Sequence, residues 1–195
     1  MKRLILSTLT AAILGVSAAA SADNLSIGFA DPLSSLDPQL NNHAGDRSVA
    51  LHFWDLLIEN KWNKLQPGLA VSWKPLDSTT WEFKLREGVK WQDGTPFTAD
   101  DLIYSYTRAR AVPGSVATYA GYLRTIDTMT AKDPLTLIVK TKAPNPDLPL
   151  NLASVHVVSK HVGEKSTTED YNSGKAMVGT CLLYTSDAAD DSLRV

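Results

Sequence analysis

The stretch that decides the fold is WEFKLREGVKWQDGTPFTADDLIYSYTRAR, residues 81–110. Polar and apolar side chains alternate over residues 80–85, which predicts a half-buried strand. Turn signals follow at Glu87-Gly88 and Asp93-Gly94, with a short extended segment between them. A helix is expected after Thr98, a residue type that favours helix starts. The stretch therefore predicts a strand, a turn, a second extended segment, a second turn and a capped helix.

The predicted helix carries charges that suit its two ends. Thr98 is placed to accept a hydrogen bond from a free first-turn amide, and Asp101 three residues on completes a capping box. Asp100 and Asp101 lie where the helix dipole favours negative charge, while Arg108 and Arg110 lie at the end that favours cations. Capping explains the paired carboxylates, so we expect no general acid or base role for them.

A longer pattern in this region resembles a known family. The segment KLREGVKWQDGTPFTADDLIYSYTRAR, residues 84–110, closely resembles the hallmark segment of the family 5 extracytoplasmic solute-binding proteins. Members of this family are the periplasmic peptide-binding components of ABC importers. Further segments resemble the family in the same order: SSLDPQ at 34–39, LAVSW at 69–73, LTLIVKTKAPNPDLP at 135–149 and VHVVSKHV at 155–162.

The resemblance implies the fold class and the division into domains. It implies a mixed α/β (α+β) protein with the two-lobed fold of type II periplasmic binding proteins, of which this chain is expected to contain only the N-terminal lobe portion. Residues 23–43 would begin a discontinuous first α/β domain. Residues 44–153 would form an inserted β-rich domain, and residues 154–180 would return towards the first domain.

Both ends of the chain are expected to lie outside this fold. Residues 1–22 combine a basic start, an apolar stretch and a small-x-small site, which predicts a secretory signal peptide cleaved after Ala22. The apolar stretch is shorter than the roughly 20 residues that a membrane span needs. Residues 181–195 begin CLLYTSDAADD, which resembles translated sequencing-adapter DNA, so we exclude them together with the only cysteine of the chain.

Other local patterns complete the prediction. They predict a strand at 24–29, a helix at 46–58, a hairpin from 71–73 and 80–85, a second hairpin from 126–130 and 135–140, a helix at 146–153 and a surface loop at 164–173. Trp73, Trp81 and Trp91 are expected in the core, with walling of a cleft as the alternative. Glu82 and Glu87 are expected on a solvated face.

Composition and motifs argue against several other functions. The chain has 19 Lys and Arg against 21 Asp and Glu, a net charge of −2, so it lacks the basic footprint of a nucleic-acid-binding protein. His156 and His161 lie five residues apart, which matches neither HExxH nor a helical pair, so no metal site is expected. The sequence contains no GxSxG, Walker or GxGxxG motif. We therefore expect no enzyme activity and no cofactor.

The resemblance also implies candidate ligand contacts. The loop after the LDP segment would touch the backbone of a bound peptide, which here assigns Asn41, Asn42, His43 and Ala44. Family members often carry an acidic residue in this loop, but this chain has Asn42, which leaves the charge preference open. Tyr119 of TYAGY resembles the first tyrosine of a PYASY-like segment. Its hydroxyl would hydrogen-bond a peptide carbonyl or carboxylate, and a simple packing role is the alternative.

The resemblance and the composition together lead to a functional expectation. We expect a monomeric, water-soluble periplasmic protein that captures oligopeptides or dipeptides and delivers them to the permease subunits of an ABC importer. Nickel chelates, haem, opines and oligosaccharides are ligands of other family members and stay open. A secreted hydrolase with an unrecognised site is the alternative from a different class, although no nucleophile–base pair is visible.

Overall fold

The computed structural model describes residue 28 and residues 30–180. The predicted signal peptide, the segment 181–195 and the strand predicted at 24–29, apart from Gly28, lie outside the described residues. Within the part that is described, no helix is both long and apolar enough to span a membrane.

The described chain contains six strands and six helices. The strands are β1 (Ile58–Lys61), β2 (Lys64–Pro67), β3 (Ala70–Pro75), β4 (Thr80–Leu85), β5 (Ile126–Asp133) and β6 (Thr136–Thr141). The helices are α1 (Ala44–Ala50), α2 (Ala99–Arg108), α3 (Ala120–Leu123), α4 (Leu148–Leu152), α5 (Lys160–Gly163) and α6 (Thr168–Asn172). Strands β1–β4 follow one another after α1, and helices α4–α6 end the order.

A four-stranded antiparallel sheet forms the centre of the fold, in the order β3-β4-β6-β5. Phe83 of β4 lies opposite Trp73 on β3 and Leu137 on β6. Phe83 and Leu137 are fully buried, as are Leu102 and Tyr106 of α2, the helix that packs on β5 and β6. Both hairpins predicted from the sequence are confirmed, because alternating apolar residues were available to fill one face of each strand.

The start of α2 confirms the predicted cap. The Thr98 amide donates to Asp101 Oδ2 at 2.8 Å, so the carboxylate satisfies an amide that the helix leaves free. Asp101 Oδ1 also accepts from the amide of Lys160 at 2.9 Å, at the beginning of α5. One buried carboxylate therefore fixes the starts of two helices, so the role of Asp101 in this structure is structural.

Three tryptophans pack as the strand pattern predicts. Trp91 is 2% exposed and meets Phe97 edge-on, with 6.0 Å between ring centroids. Trp73 and Trp81 are half-buried against the core, and Trp81 stacks on Phe83. All three therefore contribute to the core, and Trp91 also lines a cleft of about 570 Å³, as the alternative interpretation allowed.

The prediction for Glu82 is wrong, because this residue is buried rather than solvated. It is 7% exposed, and its carboxylate lies 3.6 Å from the ammonium groups of both Lys74 and Lys132. Lys74 is on β3, next to β4, and Lys132 is on β5, beyond β6; the two cations make burial of the charge tolerable. Glu87 is exposed, as expected.

The helix predicted over residues 46–58 is correct for its start and wrong beyond residue 50, since α1 covers Ala44–Ala50 and β1 starts at Ile58. Between them, Leu56 forms an antiparallel bridge with His156. The carbonyls of Leu56 and Leu57 accept from the amides of residues 69 and 70, at 3.0 and 2.8 Å. Pairing with distant segments therefore overrides the helical periodicity that the sequence suggested.

Several short elements were not predicted, including helices α3 and α5, the hairpin β1–β2 and helix α6. The hairpin β1–β2 turns at Trp62 and Asn63, which have φ of 56° and 59°, and lacks the Asn-Gly or Asp-Gly signal usual for such a turn. The surface loop predicted at 164–173 instead contains α6, where the amide of Thr167 donates to Asp170 Oδ2 at 2.8 Å. Tyr171 of this helix is 1% exposed, so the segment contributes to the core.

Candidate solute-binding loop

The LDP segment leads into the candidate loop and is fixed by a buried ion pair. Arg108 of α2 donates to both oxygens of Asp37, from Nη1 at 2.9 Å and from Nη2 at 2.6 Å. Thr168 Oγ1 donates to Asp37 Oδ2 at 2.8 Å. Burial opposes the charge on Arg108, but the hydrogen bonds and charge of Asp37 outweigh it, so the pKa of Arg108 is raised. The guanidinium also lies 4.9 Å from the ring centroid of Tyr171.

Gln39 extends this network into the core. Its side-chain amide donates to the carbonyls of Ser105 and His156, at 3.2 and 2.8 Å, and its oxygen accepts from Arg108 at 3.1 Å. Because Gln39 is fully buried, these bonds are sheltered from water. The chain therefore enters the candidate loop from a rigid base formed by α2, α6 and the segment around His156.

Asn41 attaches the candidate loop to the segment before α3. Its side-chain amide donates to Ser34 Oγ at 3.1 Å, and its side-chain oxygen accepts from the Val116 amide at 3.2 Å. The next residue, Asn42, donates its backbone amide to the Ala117 carbonyl at 2.8 Å. Asn41 is 7% exposed, so of the four predicted loop residues it is the one that is buried.

Tyr119 lies directly beneath this loop. The side chain is fully buried, and its hydroxyl donates to the Asn41 carbonyl at 3.4 Å. Burial raises the pKa of Tyr119 to about 12, so the hydroxyl stays a neutral donor. In this arrangement Tyr119 supports the loop backbone, and its contact with a solute stays a prediction.

The exposed rim consists of Asn42, His43, Ala44 and Tyr122. His43 and Ala44 are exposed, whereas Asn42 and Tyr122 are half-buried. Asn42 Nδ2 donates to the Tyr122 hydroxyl at 3.3 Å, and the rings of Tyr119 and Tyr122 lie 6.3 Å apart. The structure thus brings all five predicted residues together and adds Tyr122. The second tyrosine of TYAGY was a signal for it, three positions after the first.

Arg47 is a second residue that the sequence analysis missed. It lies on α1, and its Nη1 donates to Asn42 Oδ1 at 3.4 Å. The adjacent Asp46 is engaged elsewhere, since it accepts from the Ser34 amide at 2.8 Å and from the Ser34 hydroxyl. The loop rim therefore carries a positive charge close to an uncharged Asn42.

Other clefts and clusters do not include the predicted residues. A cleft of about 570 Å³ lies between Gly68, the segment 86–92 and Thr180, and none of the five predicted residues lines it. Among the described residues, no group of three or more His, Cys, Asp or Glu is placed to hold a metal ion. The candidate site is therefore a hydrogen-bonding rim on a rigid base.

Solved structures of periplasmic binding proteins share this fold. The murein tripeptide-binding protein MppA of Escherichia coli matches 77% of this chain and 33% of its own, with a TM-score of 0.68 and 27% identity. OppA of Haemophilus influenzae, in complex with RPPGFSPFR, matches 76% of this chain and 33% of its own, with a TM-score of 0.67 and 28% identity. The chain thus has the mixed α/β fold of periplasmic binding proteins.

Sequence comparison defines the family more closely. The profile of the bacterial extracellular solute-binding proteins, family 5 Middle, matches residues 64–180. The chain belongs to family 5 of the bacterial extracellular solute-binding proteins. It is 35% identical over 135 residues to the periplasmic oligopeptide-binding protein OppA of Salmonella typhimurium, a match that covers 63% of this chain and 25% of that protein. The chain thus spans about a quarter of the length of this relative.

Proposed function

We propose that this protein belongs to the solute-capturing component of an ABC importer and that it binds peptides in the periplasm for delivery to permease subunits. The observation that carries the proposal is the family 5 match over residues 64–180, supported by similarity to the oligopeptide-binding OppA. The proposed role involves binding and release of an unchanged solute, so it requires no catalytic residues and no cofactor.

The geometry of the loop supports a binding role. A peptide lying along Asn42, His43 and Ala44 would meet main-chain and amide groups that are already fixed from below by Asn41 and Tyr119. A rigid rim lowers the entropy cost of binding, because little of it must be ordered when the solute arrives. Closure of an opposing lobe would bury the peptide, with side chains in wet, tolerant pockets.

The division of the chain belongs to the same proposal. Residues 1–22 act as a signal peptide cleaved after Ala22, and residues 23–43 begin the first domain. Residues 44–153 form the inserted domain, and residues 154–180 return to the first. The full-length protein that contains these residues would add the opposing lobe, and it would act as a monomer.

A peptide-capture experiment tests the function. The full-length protein is incubated with a mixed peptide pool, purified, and its bound solutes are identified by mass spectrometry. Unchanged peptides in stoichiometric amount support the proposal. Cleaved peptides would refute it in favour of a hydrolase, and a nickel chelate, haem, opine or oligosaccharide in place of peptides would show another ligand class.

The 195-residue chain provides a matched control. It would contribute one face of the proposed cleft, so the same peptides should leave its melting temperature unchanged. A clear peptide-dependent rise in that temperature would contradict capture between two lobes.

A further inference from the structure

A cavity of about 330 Å³ lies beside α1, next to the candidate loop, and its wall is rich in charged groups. Arg47, Asp55, Glu59 and Lys61 line it, together with the buried side chain of Trp54. Its volume is at the lower end of the range for small-molecule sites. The wall also contains Leu51, Leu56 and Ala153, so the cavity presents charged and apolar groups side by side.

Most of the charges in this wall already have partners. Glu59 forms an ion pair with Lys61. The Asp55 carboxylate accepts from the Thr180 hydroxyl at 2.7 Å. Arg47 differs from them, because no carboxylate in the described part of the chain forms an ion pair with it. Arg47 is half-buried, so the cavity contains a positive charge with reduced access to water.

This charge reaches the loop and the groups beneath it. The guanidinium donates to Asn42 Oδ1, so it lies at the end of the exposed rim. Burial is the main reason why the pKa of His156 is lowered, and the positive charge of Arg47 adds to that effect. The same charge opposes the larger effect of burial on Tyr119. Arg47 thus places a positive charge at the side of the loop next to the cavity.

We propose that Arg47 forms a subsite for a carboxylate of the bound solute. The protein would therefore select peptides that place an acidic side chain, or their own free C-terminus, beside Asn42. A planar guanidinium matches a carboxylate with two parallel hydrogen bonds, and the attraction is stronger where water is partly excluded. Asn42 is uncharged and adds no repulsion. This inference rests on the proposed capture of peptides.

Calorimetric titration of the full-length protein with matched peptides tests the subsite. AAEAA-amide and AAQAA-amide differ by one negative charge at nearly constant shape. AAKAA-amide carries a positive charge at the same position. AAQAA as a free acid, compared with its amide, tests the C-terminus as the source of the carboxylate. We expect an acidic peptide to bind on the order of tenfold more tightly than its neutral match, as for a partly buried charge pair.

Variants assign the preference to Arg47. Arg47→Gln should remove the difference in affinity between acidic and neutral peptides, and Arg47→Glu should reverse it in favour of AAKAA-amide. Lys165→Gln, which removes an exposed cation after α5, should leave the preference intact. A merely structural role of Arg47 would weaken all peptides alike and would overturn the subsite.

The remaining outcomes distinguish failure of the carboxylate subsite from failure of the proposed peptide capture. Equal binding of all peptides by the unmodified protein would overturn the subsite and leave peptide capture standing. A preference for acidic peptides that survives Arg47→Gln would also overturn it. Failure to bind any peptide would overturn both the proposed function and the subsite.

Discussion

Acidification should destabilise the protein through His156, whose imidazole is buried beside the cavity next to α1. The residue is 1% exposed, and neither ring nitrogen has a hydrogen-bond partner among the described residues. Burial, and secondarily the charge of Arg47, lowers the pKa of His156 from 6.5 to about 3. Between these two values the unfolded chain takes up a proton that the folded protein does not. Stability should therefore be retained above pH 6.5 and lost as the pH falls towards 3.

The size of this effect follows from the two pKa values. A single proton bound only by the unfolded state lowers the free energy of unfolding by up to about 1.4 kcal/mol for each pH unit. From pH 7 to pH 5, where most of the unfolded chains acquire the proton, the loss attributable to His156 is about 2 kcal/mol. That is a substantial part of the roughly 5–15 kcal/mol that stabilises a typical domain.

The assay is urea unfolding of the 195-residue protein at pH 7, 6 and 5, compared with His156→Leu. Leucine removes both unpartnered nitrogens, so the variant should be at least as stable at pH 7. Carboxylates titrate in both proteins, so the difference between the two curves isolates the imidazole. This difference should move by about 2 kcal/mol in favour of the variant at pH 5. His161→Leu removes an exposed imidazole and serves as the control. A difference that stays constant from pH 7 to pH 5 would refute the reasoning.

Three further predictions concern stability, each measured as the free energy of unfolding in urea. Asp37→Ala should cost about 3–5 kcal/mol, because it leaves Arg108 buried without its counter-charge. Asp147→Ala, which removes an exposed carboxylate, is the control. A loss below about 1 kcal/mol for Asp37→Ala would contradict the network described for the LDP segment. Gly68→Ala should cost about 1–3 kcal/mol, because its Cβ would lie 2.4 Å from the Leu56 carbonyl oxygen. Gly121→Ala, in open space on α3, should instead stabilise by about 0.5–1 kcal/mol, and equal effects at the two glycines would rule out the steric explanation. Trp62→Asn should stabilise by about 1 kcal/mol, since a left-handed backbone suits asparagine better than a bulky side chain; a loss of stability would show that the 95% exposed ring makes a contact that matters.

The sequence predicted those elements whose signals are local. Strand β4 and the cap of α2 were predicted correctly, because alternation and a Thr-x-x-Asp pattern act over a few residues. Thr167-x-x-Asp170 is the same capping pattern, so the start of α6 could have been predicted from the sequence although it was missed. The helix predicted at 46–58 ends early because residues 56 and 57 form main-chain pairs with residues 69, 70 and 156. A local pattern cannot reveal these partners, because they are distant in the sequence.

The candidate site shows the same division. The resemblance selected Asn41–Ala44 and Tyr119, and the structure places them side by side. Arg47 and Tyr122 were missed because their relevance depends on where the side chain of Asn42 points, which no local pattern reveals. The burial of Tyr119 could likewise not be predicted, since a tyrosine that packs in the core and one that faces solvent can occupy the same position in such a segment.

The bonds that fix the LDP segment have a consequence for the order in which the chain assembles. Ser35 Oγ donates to Asn172 Oδ1 at 2.8 Å, and Asp37 is bound by Thr168, so partners on opposite ends of the described chain must meet. Closing such long loops is entropically costly and slow. The segment proposed to contact the solute emerges from the ribosome early, yet it cannot reach its final conformation until residues near 172 have followed. This segment is therefore among the last parts of the described chain to become ordered.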